Sequence, residues 1–192
     1  MKDAQVLTVV FAGSLIAQKG LHVFLEAMEI LRSRSVEAIG VVVESSAFGN
    51  GRTTAHVKKL RQSAPPDVIF QNHYSGARLA EYLRTSDLFC ISSIFDDPFP
   101  LAPLEAMASN LAVAGTQSGG IPEAFSEGGA LLVAKGSGLQ LAESLERFLM
   151  KAPLGRQVAE AGYASFRKRF TWSCIRPKNR EIVEAVSSGA NL

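Results

Sequence analysis

Short apolar runs alternate with stretches of helical period along most of this chain, and that alternation constrains its fold more than any other feature. Val6–Ala12, Ala38–Val43, Val68–Phe70, Asp87–Ser92, Leu111–Gly115 and Ala130–Val133 read as strands of the buried type. Between them, Gly20–Arg34 carries Leu21, Phe24, Leu25, Met28 and Leu31 at helical spacing. Thr54–Ala64, Ala77–Thr85, Leu101–Ser109 and the short Ile121–Ser126 also read as helices. Lys58, Lys59 and Arg61 form a basic face on the second of these, as a solvated helix surface does. Three more helical stretches close the chain: Gly138–Met150, Leu154–Arg169 and Trp172–Val186. Pro153 and Thr171 separate them, with Thr171 placed to cap the last.

Strands at this spacing, joined by helical crossovers, imply right-handed βαβ units. The expected fold class is α/β: a doubly wound, parallel, six-stranded, Rossmann-like sheet with a helical C-terminal tail. No repeat or Pro/Gly/Ser-rich linker interrupts the pattern, so residues 1–192 are expected to form one domain. Its core spans about 6–150 and its helical tail about 154–187. Hydrophobic residues at 47% suffice to fill such a core and exclude a disordered chain. A formal net charge of +2 provides no general attraction to nucleic acid. Cys90 lies in an apolar run and Cys174 is the only other cysteine, which fits a reducing compartment. No apolar leader opens the sequence and no run is long enough to span a membrane, so a cytoplasmic location is expected.

In an open sheet of this kind the ligand sits beyond the carboxyl ends of the strands. The richest of these loops runs Ser92-Ser93-Ile94-Phe95-Asp96-Asp97-Pro98-Phe99-Pro100-Leu101-Ala102-Pro103-Leu104-Glu105 and enters a helix. Free N–H groups at such an entry favour an anion such as a diphosphate. Leu101 and Ala102 can supply them, whereas the prolines cannot. Asp97 and Glu105 suit the hydroxyls of a sugar or ribose beside the phosphates; they equally suit a helix cap and an exposed helical acid. A second loop, Gln117-Ser118-Gly119-Gly120-Ile121-Pro122-Glu123, has paired glycines that let backbone approach a ligand closely, or simply turn. A third contains Gly13 and Ser14 at the end of the first strand, with Lys19 at the start of the next helix. An ammonium there can face phosphate. His22 and His56 fall on helices, while His73 lies in a stretch, Gln71–Gly76, read as a ligand-side loop.

Taken in order, Gly13-Ser14-Leu15 with Lys19-Gly20, then Asp97 to Glu105-Ala106-Met107-Ala108, then Gly119-Gly120-Ile121-Pro122-Glu123 resemble a known pattern. It is that of the C-terminal, donor-binding domain of GT-B glycosyltransferases, most like the retaining family 4. The resemblance covers roughly residues 6–186. It implies that Lys19, Asp97 and Glu105 are catalytic-site residues: Lys19 for the diphosphate leaving group, Asp97 for donor-sugar hydroxyls and Glu105 for the ribose. Gly13, Ser14, Leu101, Ala102, Gly119, Gly120 and His73 would line the donor. The implied donor is a UDP-, GDP- or ADP-sugar, with no metal and no separate cofactor. Two positions depart from the pattern. Ser14 stands where the family has Arg, so one phosphate cation is absent. Asp97 is a methylene shorter than the usual Glu. The acceptor-binding half of such enzymes is a separate N-terminal domain, for which this sequence has no counterpart, and any membrane contact is expected through that half. A non-catalytic nucleotide-binding or partner-docking module, and half of a GT-B epimerase, stay open as alternatives.

Overall fold

The computed structural model describes residues 6–45, 55–74 and 76–188. Six strands form one sheet: β1 (Leu7–Gly13), β2 (Ala38–Ser45), β3 (Val68–Tyr74), β4 (Leu88–Ile91), β5 (Ala112–Thr116) and β6 (Ala130–Val133). All pairings are parallel and the order is β3-β2-β1-β4-β5-β6. The chain therefore starts mid-sheet, builds outward to β3, and returns to lay β4 against the other side of β1. That reversal opens a crevice above the carboxyl ends of β1 and β4.

Period-two alternation distributes the core over two faces. Val9 and Phe11 of β1, Leu88 and Cys90 of β4, and Ala112 and Ala114 of β5 join one cluster. Val10, Phe89, Ile91 and Val113 join the other. Helix α1 (Leu21–Ser33) covers the first face with its Leu21, Phe24, Leu25, Met28 and Leu31 stripe; α2 (Ala55–Gln62) adds Val57 there. The opposite face receives Leu83 of α3 (Gly76–Thr85), Ala106 and Met107 of α4 (Ala102–Ala108), and Ile121 and Ala124 of α5 (Ile121–Ala124). Crossovers on both sides are what makes the sheet doubly wound, as the sequence predicts. Helix α6 (Gly138–Met150) lies beside α1 on the first face. Its N-cap is Ser137, whose hydroxyl accepts from the Gln140 N–H at 3.2 Å.

Several boundaries move. The third strand is predicted to stop at Phe70 but continues through Gln71, Asn72, His73 and Tyr74. These polar residues are tolerated because β3 is an edge strand. His73 thus lies in a strand rather than a loop. Pro153 does not separate helices; it sits in the first turn of α7 (Ala152–Arg169), where its missing N–H leaves no bond unmade. Helix α7 packs on α4, α6 and β5. Its Arg169 donates to the carbonyls of Glu123 and Ala124, closing the end of α5. Thr171 does occupy the N-cap of α8 (Trp172–Ser187), but its hydroxyl caps no backbone N–H and instead pairs with Ser173 Oγ at 2.9 Å. No residue of α8 is buried, and Trp172 is 75% exposed.

Candidate functional site

A cleft of about 510 Å³ opens at the carboxyl ends of β1, β2 and β4. It is lined by Lys19, Asp97, Glu105, Gly13, Ser14, Leu101 and Ala102, so seven of the ten sequence-predicted residues share one cavity. Lys19 arrives from the α1 side of the sheet, at the end of a 3-10 turn spanning Ala17–Lys19. Asp97, Leu101, Ala102 and Glu105 arrive from the α4 side. The two sides meet across the crevice in an ion pair, Lys19 Nζ to Asp97 Oδ2 at 2.5 Å. Their side chains are only 26% and 17% exposed. The ammonium also lies 5.5 Å from the centroid of the Phe95 ring. Asp97 does not cap α4, because Leu101 holds the N-cap position. The N–H groups of Leu101 and Ala102 stand at the open first turn, where a helix has no internal acceptor to offer.

The Glu105 carboxylate has no hydrogen-bond or ionic partner among the described residues. Partial desolvation at the cleft wall pushes its carboxyl pKa above the usual range, although the residue as a whole is exposed. The sign is testable. A raised folded-state pKa means that ionising Glu105 costs stability above its ordinary value of 4.5, and that this cost vanishes below it. Glu105→Gln is therefore expected to raise the melting temperature at pH 7 slightly. The difference should close as the pH falls toward 4, which thermal scans at both pH values would check.

Among the described residues lining the cleft, Lys19 is the only cation, against the carboxylates of Glu44, Asp97 and Glu105. Glu44, at the end of β2, is not among the residues the sequence singles out. It pairs with Arg61 of α2 at 3.5 Å, and the guanidinium lies 4.8 Å from the Phe70 ring centroid. Cys90 forms part of the cleft floor, and full burial pushes its thiol pKa far upward, so it stays protonated and inert.

Gly119 and Gly120 stand outside the cleft lining. Their lack of a side chain serves the Asp97 loop instead. A Cβ on Gly119 would overlap the Asp97 backbone, and one on Gly120 would overlap the Pro98 carbonyl. The Gly120 N–H donates to the Asp97 carbonyl at 2.9 Å, and the Gly119 N–H donates to Asp96 Oδ1 at 3.1 Å. Asp96 is in turn held by Lys135 at 2.9 and 3.0 Å. Lys135 and the Gly119 N–H hold its carboxyl pKa below the usual range. Buried hydroxyls complete the stitching. Thr116 Oγ1 donates to the Ser93 carbonyl at 2.7 Å, Ser118 Oγ to the Phe95 carbonyl, and Ser92 Oγ to the Gly20 carbonyl at 2.8 Å. Sequence reasoning missed these residues because each bonds a backbone carbonyl far away in the chain. The backbone at His73 extends the edge strand β3; its side chain lies outside the described residues. His22 and His56 are exposed on α1 and α2. Among the described residues no group of three or more His, Cys, Asp or Glu is placed to hold a metal ion, and no helix is long and apolar enough to cross a membrane.

The profile of the family "Glycosyl transferases group 1" matches residues 2–165. The chain belongs to that family. The D-inositol 3-phosphate glycosyltransferase of Stackebrandtia nassauensis is 30% identical over 178 residues, covering 89% of this chain and 39% of that protein. Among solved structures, sucrose-phosphate synthase of Thermosynechococcus elongatus superposes with a TM-score of 0.84 at 21% identity, over 97% of this chain and 47% of its own. The Anabaena protein Alr3699/HepE, solved in complex with UDP-glucose, superposes with a TM-score of 0.81 at 21% identity, over 96% of this chain and 50% of its own. This group 1 chain thus spans about half or less of the length of these three relatives. It corresponds to one of the two Rossmann-like halves of a GT-B glycosyltransferase fold, as its sequence motifs imply.

Proposed function

We propose that this chain is the donor-binding domain of a retaining glycosyltransferase and holds a nucleoside-diphosphate sugar in the cleft above β1 and β4. The observation that carries this is the convergence of Lys19, Asp97, Glu105 and the first turn of α4 on one cavity at the switch point of the sheet. Family membership and a structural neighbour solved with UDP-glucose support it. In this reading the Leu101 and Ala102 N–H groups and Lys19 receive the diphosphate. Glu105 accepts from the ribose hydroxyls and Asp97 from the donor sugar. As the glycosidic bond to the diphosphate breaks, negative charge accumulates on the leaving oxygen, and Lys19 stabilises it electrostatically. The acceptor would enter from a second, N-terminal domain facing the cleft, and transfer would take place in the cytoplasm on the same face the leaving group departs from. The isolated domain is then inactive alone, and a complete enzyme would be of the hexosyltransferase type.

A second reading, a non-catalytic nucleotide-binding module, is favoured by one observation. Ser14 lines the cleft where the family pattern has Arg, leaving Lys19 as the one cation among the described lining residues. Calorimetric titration with UDP, GDP and ADP tests the shared premise. Binding of at least one is expected; no binding of any at millimolar concentration overturns the donor-domain reading. Sugar transfer by a protein that joins this chain to its acceptor half would exclude the module.

A further inference from the structure

The cation that should meet the diphosphate is already engaged. Lys19 Nζ lies 2.5 Å from Asp97 Oδ2, and both side chains are largely withdrawn from water. Neither backbone is free to carry its side chain away. The Lys19 N–H donates to the Ile16 carbonyl at 3.1 Å, and the following Gly20 N–H donates to the Ala17 carbonyl at 3.0 Å. The Asp97 N–H donates to the Phe95 carbonyl at 3.0 Å, and its own carbonyl accepts from Gly120 at 2.9 Å. Any parting of the pair is therefore a rotation of side chains within fixed loops. The other charged residues among the described lining do not help an anion. Glu105 is unpaired, and Glu44 is answered by Arg61. A diphosphate brings at least two negative charges into a site where the one cation among the described lining residues is already paired, and at short range that repulsion is not small.

We infer that Asp97 acts as a built-in competitor for Lys19, so that donor binding proceeds by ion-pair exchange: the diphosphate takes Lys19, and the displaced Asp97 carboxylate turns to the hydroxyls of the attached sugar. This rests on the donor-binding reading and adds a consequence to it. A sugar-bearing donor gives the released carboxylate new hydrogen-bond donors. A bare diphosphate leaves it without a partner beside the phosphates. Asp97 therefore discriminates the nucleotide sugar from the spent nucleotide and assists release of the latter.

The test compares the unaltered chain with Asp97→Asn, which keeps the shape and removes the charge. Pyrophosphate, which has neither base nor sugar, is titrated into both by calorimetry, followed by UDP and UDP-glucose. Pyrophosphate is expected to bind Asp97→Asn roughly tenfold more tightly, the size of one screened charge contact. UDP should gain likewise, while the preference for UDP-glucose over UDP should shrink. Asp97→Glu, which retains a carboxylate, should bind pyrophosphate like the unaltered chain. In a Lys19→Gln background the gain from Asp97→Asn should shrink to the relief of direct repulsion alone. If Asp97→Asn does not fold, Asp97→Ser carries the same expectation. Pyrophosphate affinity that falls or stays constant on losing the charge overturns the exchange, as does absence of pyrophosphate binding to both proteins. Either result leaves the donor-binding reading standing provided UDP, GDP or ADP still binds; failure of all three nucleotides removes that reading and the exchange together.

Discussion

Alanine at position 20 is expected to cost the fold about 3 kcal/mol or more, through strain and overlap acting together. Gly20 has φ +70°, in the left-handed region that a side chain disfavours. It also ends the Lys19 turn and begins α1, with its backbone pressed against β4. A Cβ there would fall inside the Ser92 carbonyl oxygen, 2.8 Å from the Ser92 carbonyl carbon and 3.2 Å from Ile94 Cγ2. Ser92 cannot retreat easily. Its hydroxyl donates to the Gly20 carbonyl at 2.8 Å, and the Ile94 N–H donates to the Gln18 carbonyl at 2.9 Å. A domain of this size typically has about 5–15 kcal/mol of stability in total, and the melting temperature should fall by roughly 6–12 °C. Calorimetric unfolding would read this directly. Gly155→Ala is the control. It lies within α7, where a Cβ would meet only Phe148 Cδ1 at 3.9 Å, and should stabilise by about 0.5–1 kcal/mol. A Gly20→Ala protein that melts with the unaltered chain would mean that the loops around Lys19 are not packed as described.

Removal of the Glu105 carboxylate is expected to weaken nucleotide binding by about 1–3 kcal/mol, roughly five- to 150-fold, through loss of charge-assisted hydrogen bonds. Because Glu105 is unpaired in the free cleft, Glu105→Ala breaks no internal contact and the fold should survive it. The effect should be specific to ligands that carry a ribose. Pyrophosphate should bind Glu105→Ala at least as tightly as it binds the unaltered chain, since one repelling charge is gone. Titration of both ligands into both proteins distinguishes a hydroxyl acceptor from a general stabiliser of the cleft. Equal loss for both ligands, or no loss for the nucleotide, would take Glu105 out of the ribose subsite.

Much of this site is legible in the sequence, and the parts that are not share a cause. The α1 stripe and the strand runs are local patterns, so periodicity finds them. The spacing of Asp97 and Glu105 is local too, and one turn of α4 is enough to bring both into one cleft. Local reading fails where a neighbour in space supplies the reason. Gly119 and Gly120 read as glycines for a ligand or for a plain turn, and nothing local shows that Asp97 and Pro98 press against them. His73 reads as a loop residue because its segment is polar, yet β2 extends the edge strand through it. Nothing near Lys19 in sequence indicates that Asp97, 78 positions away, is its partner.

From the order of residues alone follow the doubly wound sheet, the rim on which a ligand would sit, and the motifs proposed to meet it there. Hydrophobic period and motif spacing act over a few residues and survive any rearrangement of distant parts. Which charge neutralises which, and which glycine yields to which carbonyl, was settled only when β4 folded back against β1 and brought two remote loops to the same rim. Electrostatics and steric exclusion act through space, and only the tertiary structure sets those distances.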